Sequence, residues 1–204
     1  MARVSLAALS LALVLGWAPG ADATVLFTTL SGAAEVPPNA SLGTGNARVG
    51  IDPATHQMHV IIDFSGLTGL TTASHIHCCT ANPLDITQTA GVATVTPTFP
   101  GFPLGVHAGS YDQTFDMSLA ASYNPAFITA NNNSVAQAEA VLFAGLLAGK
   151  AYLNIHTDFA PRGEIRGFLV PEPGTMVLFV AGLLGMVTIG WRRRLQQPVR
   201  ARIS

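Results

Sequence analysis

Hydrophobic positions alternate with polar ones over most of the chain's middle. Residues 25–30 (VLFTTL) open the series as a first strand. Residues 45–51 (GNARVGI) set Ala47, Val49 and Ile51 against small or polar neighbours. In residues 59–64 (HVIIDF), Val60 and Ile62 fall on one side and Ile61 on the other. A period of two marks strands with one face on a core. Residues 74–77 (SHIH), 92–97 (VATVTP) and 114–119 (TFDMSL) repeat the pattern. Two closing strands lie within residues 151–170, joined by a polar connection at 157–163. The breaks are rich in turn formers: Pro37-Pro38, Asp52-Pro53, and residues 97–109 with three prolines and three glycines.

One stretch departs from this period. Ser134 followed by Gln137 has the spacing of a capping box, residues 135–148 favour helix, and Gly149 supplies a stop. The helix predicted there turns Val141, Leu142, Leu146 and Leu147 toward the sheet. The expected architecture is all-β, an antiparallel β-sandwich of Ig-like or Greek-key type with one connecting helix. Residues 24–170 are enough for a single core.

The two ends follow a different logic. Residues 1–23 carry a basic residue, Arg3, an apolar run at 4–17 and the small-residue site Ala21-Asp22-Ala23, which together predict a signal peptide cut by signal peptidase. At the other end, residues 175–191 are uncharged and Arg192-Arg193-Arg194 follows at once. Such a run is at the lower edge of length for a membrane helix, with the arginines on the cytoplasmic side. The middle of the chain is therefore expected outside the cytoplasm. Only 10% of residues are charged and the formal net charge is −1, so nucleic-acid binding has no electrostatic support. The mean hydropathy of +0.41 is raised by the two apolar ends. The sole cysteines, Cys78 and Cys79, are adjacent, which leaves a ligand pair, a vicinal disulfide or packed thiols as readings.

Candidate chemistry gathers on histidine. His75 and His77 are two apart on a strand, so both side chains leave the same face. His156 on a closing strand completes a possible triad for zinc or copper if the strands are neighbours. Cys79 shares that face by alternation, and His107 lies in a loop that could approach. The competing reading is structural: histidines pinning loops, with Asn154 and Glu164 as partners. Glu164 and Arg166 also share a face, as a buried clamp or as a site for a carboxylate or sugar. No catalytic set of paired carboxylates or Ser-His-Asp is present at a convincing spacing, so the protein is expected not to be an enzyme.

Three motifs in order resemble the CHRD domain: Leu30-Ser31-Gly32 with Glu35-Val36-Pro37-Pro38, then Ser74-His75-Ile76-His77, then residues 151–157 with Gly163-Glu164-Ile165-Arg166-Gly167. The resemblance implies a β-sandwich-like extracellular domain. The tail resembles the PEP-CTERM sorting signal: Pro171-Glu172-Pro173, the apolar run, then Arg192, Arg193 and Arg194. That resemblance implies an exosortase as processing partner, a membrane-anchored precursor, and the periplasm, surface or exopolysaccharide matrix of a Gram-negative bacterium as destination. A further resemblance is to copper/zinc superoxide dismutase, a β-sandwich with a His-x-His strand and a late ligand histidine; the bridging histidine and zinc-loop ligands have no counterpart. The expected role is structural or binding, with exopolysaccharide a possible partner and zinc or copper binding as the alternative.

Overall fold

The computed structural model describes residues 23–171. The predicted signal peptide, the membrane run and the arginine cluster lie outside the described residues. Among the described residues, no helix is long and apolar enough to cross a membrane.

Eight antiparallel strands form one continuous sheet: β1 (Thr24–Ser31), β2 (Thr44–Asp52), β3 (Gln57–Ser65), β4 (Thr71–His77), β5 (Gly109–Asp116), β6 (Tyr152–Thr157), β7 (Ile165–Phe168) and β8 (Val170–Pro171). The order across the sheet is β4-β6-β7-β1-β2-β3-β5, with β8 also on β1. β2 and β3 show how the alternation works. Their register pairs Ile51 with Met58, Val49 with Val60, Ala47 with Ile62 and Gly45 with Phe64, and all eight residues are buried. A one-residue slip would turn the whole set outward. The Asp52 carboxylate accepts from the amides of Ala54 and Thr55 and closes the hairpin.

The expected two-sheet sandwich is thus replaced by one ladder that curls. β7 meets β1 at a single pair, Ser31 with Arg166. On either side of this narrow join, the inner faces of both halves share one hydrophobic cluster, with Leu26, Val49 and Ile62 from one half and Ile76, Leu153 and Ile165 from the other.

Two strand expectations shift. Residues 92–97 form only isolated bridges, His77 with Val92 and Thr94 with Tyr123. Pro97 has no N–H to donate, and the Thr94 hydroxyl, not a backbone carbonyl, accepts from the Ile76 amide. The strand expected at 114–119 is displaced to Gly109–Asp116, because the Asp116 carboxylate captures the Ser118 amide and turns the chain.

Two helices precede β6. α1 (Pro125–Ala130) was not anticipated. Asn124 caps it, accepting from the Ala126 amide, and proline stands at its first turn. α2 (Val135–Leu147) is the predicted helix, and the Ser134 hydroxyl accepts from the Gln137 amide as the capping box requires. The reciprocal half is absent, since the Gln137 carbonyl accepts from Asn132 instead. Gly149, at φ 65°, ends the helix in a left-handed conformation. Leu142 and Leu146 are buried as expected, whereas Val141 and Leu147 are exposed, and Ala138, Phe143 and Gly145 complete the packed stripe. Gly145 is required there: a Cβ would stand 2.4 Å from Cys78 Sγ and 2.5 Å from Cys79 Sγ. Those sulfurs form a vicinal disulfide, one of the three readings of the pair.

Candidate functional site

β4, β6 and β7 are buried on both faces, unlike β2 and β3. Their inner face carries Ile76, Leu153, Ile155 and Ile165. By alternation their other face carries His75 and His77 from β4, Tyr152, Asn154 and His156 from β6, and Arg166 from β7. The β4–β6 register sets His75 opposite Asn154, His77 opposite Tyr152 and His156 opposite Ala73. Carbonyls of the β4–β5 connection, including Ala90 and Pro97, bond to this polar layer. A second polar interior results.

The three histidines converge. Ring centroids are 5.2 Å apart for His75–His156 and 5.9 Å for the other two pairs. One ring nitrogen from each belongs to a set whose members all lie within 4.8 Å of one another. Each ring is oriented by a backbone carbonyl: His75 Nε2 bonds to Pro97 O, His77 Nδ1 to Ala90 O and His156 Nδ1 to Pro161 O. A carbonyl only accepts, so these nitrogens carry the protons and fix each tautomer. The opposite nitrogens, His75 Nδ1, His77 Nε2 and His156 Nε2, are buried without a hydrogen-bond partner. Their lone pairs remain available.

Burial favours the neutral form of all three rings. It lowers His75 and His156 below the ordinary imidazole value, against the pull of the Pro97 and Pro161 carbonyls. It lowers His77 to about 4, helped by the other two rings and by Arg166. A neutral imidazole with one nitrogen donating to a carbonyl and the other free is the form that ligates a metal. With metal–nitrogen bonds of about 2.05 Å, tetrahedral ligand nitrogens sit about 3.4 Å apart. The widest pair would therefore need to close by about 1.4 Å to hold an ion.

A stack extends from the cluster. Tyr152 lies parallel to His77, with centroids 4.8 Å apart, and the Arg166 guanidinium covers the other ring system at 4.6 Å from the Tyr152 centroid. Arg166 is only 1% exposed. It donates to the carbonyls of Ala34, Gln88 and Ile86, and its Nε lies 3.9 Å from a Glu35 oxygen. Burial pushes the Glu35 carboxyl up to about 7, although Arg166, Asn154 and the Val36 amide pull it down.

Glu164 and Arg166 do not pair. Glu164 accepts from the hydroxyls of Ser41 and Thr157 and from the amides of Thr68 and Gly69. Burial raises this carboxyl, but the four donors outweigh it and hold it below the ordinary range. Two separate clamps thus stand where one was expected, and Glu35, whose part the sequence did not reveal, completes the second. The anticipated structural partners of the histidines, Asn154 and Glu164, are replaced by backbone carbonyls. Cys79 is spent in the disulfide, and His107 bonds to the Leu67 carbonyl outside the cluster.

No curated protein and no solved structure matches the chain. The family model of the CHRD domain matches residues 26–169, and that of the PEP-CTERM protein-sorting motif matches residues 169–194. The second match covers Pro171, Glu172, Pro173 and Arg192–Arg194, and implies export, recognition by an exosortase and membrane-associated processing in bacteria. With its match running from β1 to the residue before β8, the chain belongs to the CHRD domain family and carries a PEP-CTERM sorting motif.

Proposed function

We propose that this exported, surface-sorted protein uses its CHRD domain as a non-enzymatic binding module that holds one transition-metal ion, zinc or copper, on His75, His77 and His156. The observation that carries the reading is the set of three buried ring nitrogens with no hydrogen-bond partner, each on a ring whose other nitrogen bonds to a carbonyl. A purely structural histidine has no reason to leave a buried lone pair unsatisfied, since an unpaired buried polar atom costs about 1–3 kcal/mol. A binding role without turnover is supported by the surroundings: Glu164 is engaged by four donors and Glu35 lies against Arg166.

The setting is the surface or extracellular matrix of a Gram-negative bacterium, where the domain acts as a matrix component. Equilibrium dialysis of the purified protein against zinc and copper tests the metal reading. One equivalent bound by the natural protein, and none by a His75→Ala, His77→Ala double variant that still folds, is expected. Equal binding by both proteins, or none by either, would sink it.

A further inference from the structure

Three neutral imidazoles bring no negative charge to the ion they hold. Among the described residues, the ligand group contains no carboxylate and no thiolate. The sulfur that alternation places on this face, Cys79 Sγ, is locked in the disulfide. Of the charged groups described, Arg166 reaches the cluster, with a Glu35 oxygen 3.9 Å from its Nε. Arg166 stacks on Tyr152, and Tyr152 stacks on His77. His75 and His77 are 6% and 8% exposed, so solvent screens little of this.

The ion's own charge then decides which metal fits. The desolvation cost of a buried ion grows with the square of its charge, so a divalent ion costs about four times as much as a monovalent one of the same size. Its repulsion by Arg166 is doubled as well. Zinc also needs a fourth ligand. In this site that ligand would come from solution, as a water or an anion brought in beside the three rings. Monovalent copper has a single charge, accepts three imidazoles in a trigonal set and needs no compensating anion.

Resting on the metal-binding reading above, we infer that the His75–His77–His156 site is selective for monovalent copper, held three-coordinate by neutral nitrogens, over zinc and divalent copper. No electron transfer is required of the protein, because the ion is bound in the state in which it arrives.

The test uses the full-length protein under anaerobic conditions. Monovalent copper is titrated in competition with bicinchoninate, zinc and divalent copper are titrated separately, and the copper-loaded sample is examined by X-ray absorption with and without chloride. One equivalent of monovalent copper is expected, with three nitrogens and no chloride in the fitted shell and the same spectrum in both buffers. The site should favour monovalent over divalent copper at least a hundredfold relative to the aqueous couple, a rise of about 120 mV in potential at about 59 mV per tenfold. A four-coordinate ion with chloride or hydroxide in its shell, or no shift toward the monovalent state, overturns the selectivity and leaves the metal-binding reading intact. Failure to bind any of the three ions overturns both.

Discussion

Replacing Glu35 by glutamine isolates the energetic cost of the buried polar layer. Glu35 is 5% exposed, and burial lifts its carboxyl from an ordinary 4.5 to about 7 despite Arg166. Between those values the folded protein keeps the proton while the unfolded chain has released it. The stability that protonated Glu35 contributes is therefore fully present below pH 4.5 and is lost as pH rises through 7. A shift of about 2.5 units at about 1.36 kcal/mol each corresponds to roughly 3 kcal/mol across that window. Glutamine has nearly the same shape, carries no charge at any pH, and its side-chain carbonyl can accept from Asn154 as the carboxyl does. Urea unfolding followed by circular dichroism, from pH 4.5 to pH 8.5, provides the assay. The variant should match the natural protein within about 1 kcal/mol at the acid end and exceed it by roughly 3 kcal/mol at the alkaline end. His77 titrates in the opposite sense, losing stability as pH falls from 6.5 toward 4, but it does so in both proteins and drops out of the difference. Parallel stability curves would refute the buried, protonated Glu35.

Other perturbations probe other joints of the fold. Gly145→Ala improves helix propensity by about 1 kcal/mol, yet its Cβ meets both disulfide sulfurs. Overpacking of about 1–3 kcal/mol should dominate in thermal melts, and the penalty should shrink in a Cys78→Ser, Cys79→Ser background. Ser134→Ala removes the cap of α2 and should cost about 1 kcal/mol in the same melts, with no cost if the Gln137 amide finds another acceptor. Changing Pro171, Glu172 and Pro173 together to alanine should leave a full-length precursor in the membrane fraction on immunoblots; normal processing of that variant would contradict the role given to the motif.

The curled half of the sheet around β2 and β3 was legible because one face of each strand meets water, so the period of two is written in polarity. The helix was legible from Ser134, Gln137 and Gly149, although Gln137 turned to Asn132. The Asn124-Pro125 pair carried a cap signal for α1 that strand-based reasoning passed over. Around the histidines the sequence was only half informative. Alternation placed His75 and His77 on one face, and their meeting with His156 depends on the β4–β6 pairing across the 74 residues between the two strands, which include two α-helices. The burial of that face depends on the irregular β4–β5 connection, which has no periodicity to read. Spacing alone joined Glu164 to Arg166. Their partners instead come from other loops, Ser41 and Thr68 for one and Glu35 for the other, and nothing local in the sequence encodes such contacts.

Anomalous diffraction from metal-soaked crystals, collected at the copper and zinc edges, tests the account's central claim most directly. The predicted result is a single peak about 2.0–2.1 Å from His75 Nδ1, His77 Nε2 and His156 Nε2, with the opposite nitrogens still bonded to Pro97, Ala90 and Pro161. A peak elsewhere on the protein, coordination through the carbonyl-bonded nitrogens, or three histidines with no metal between them would contradict it.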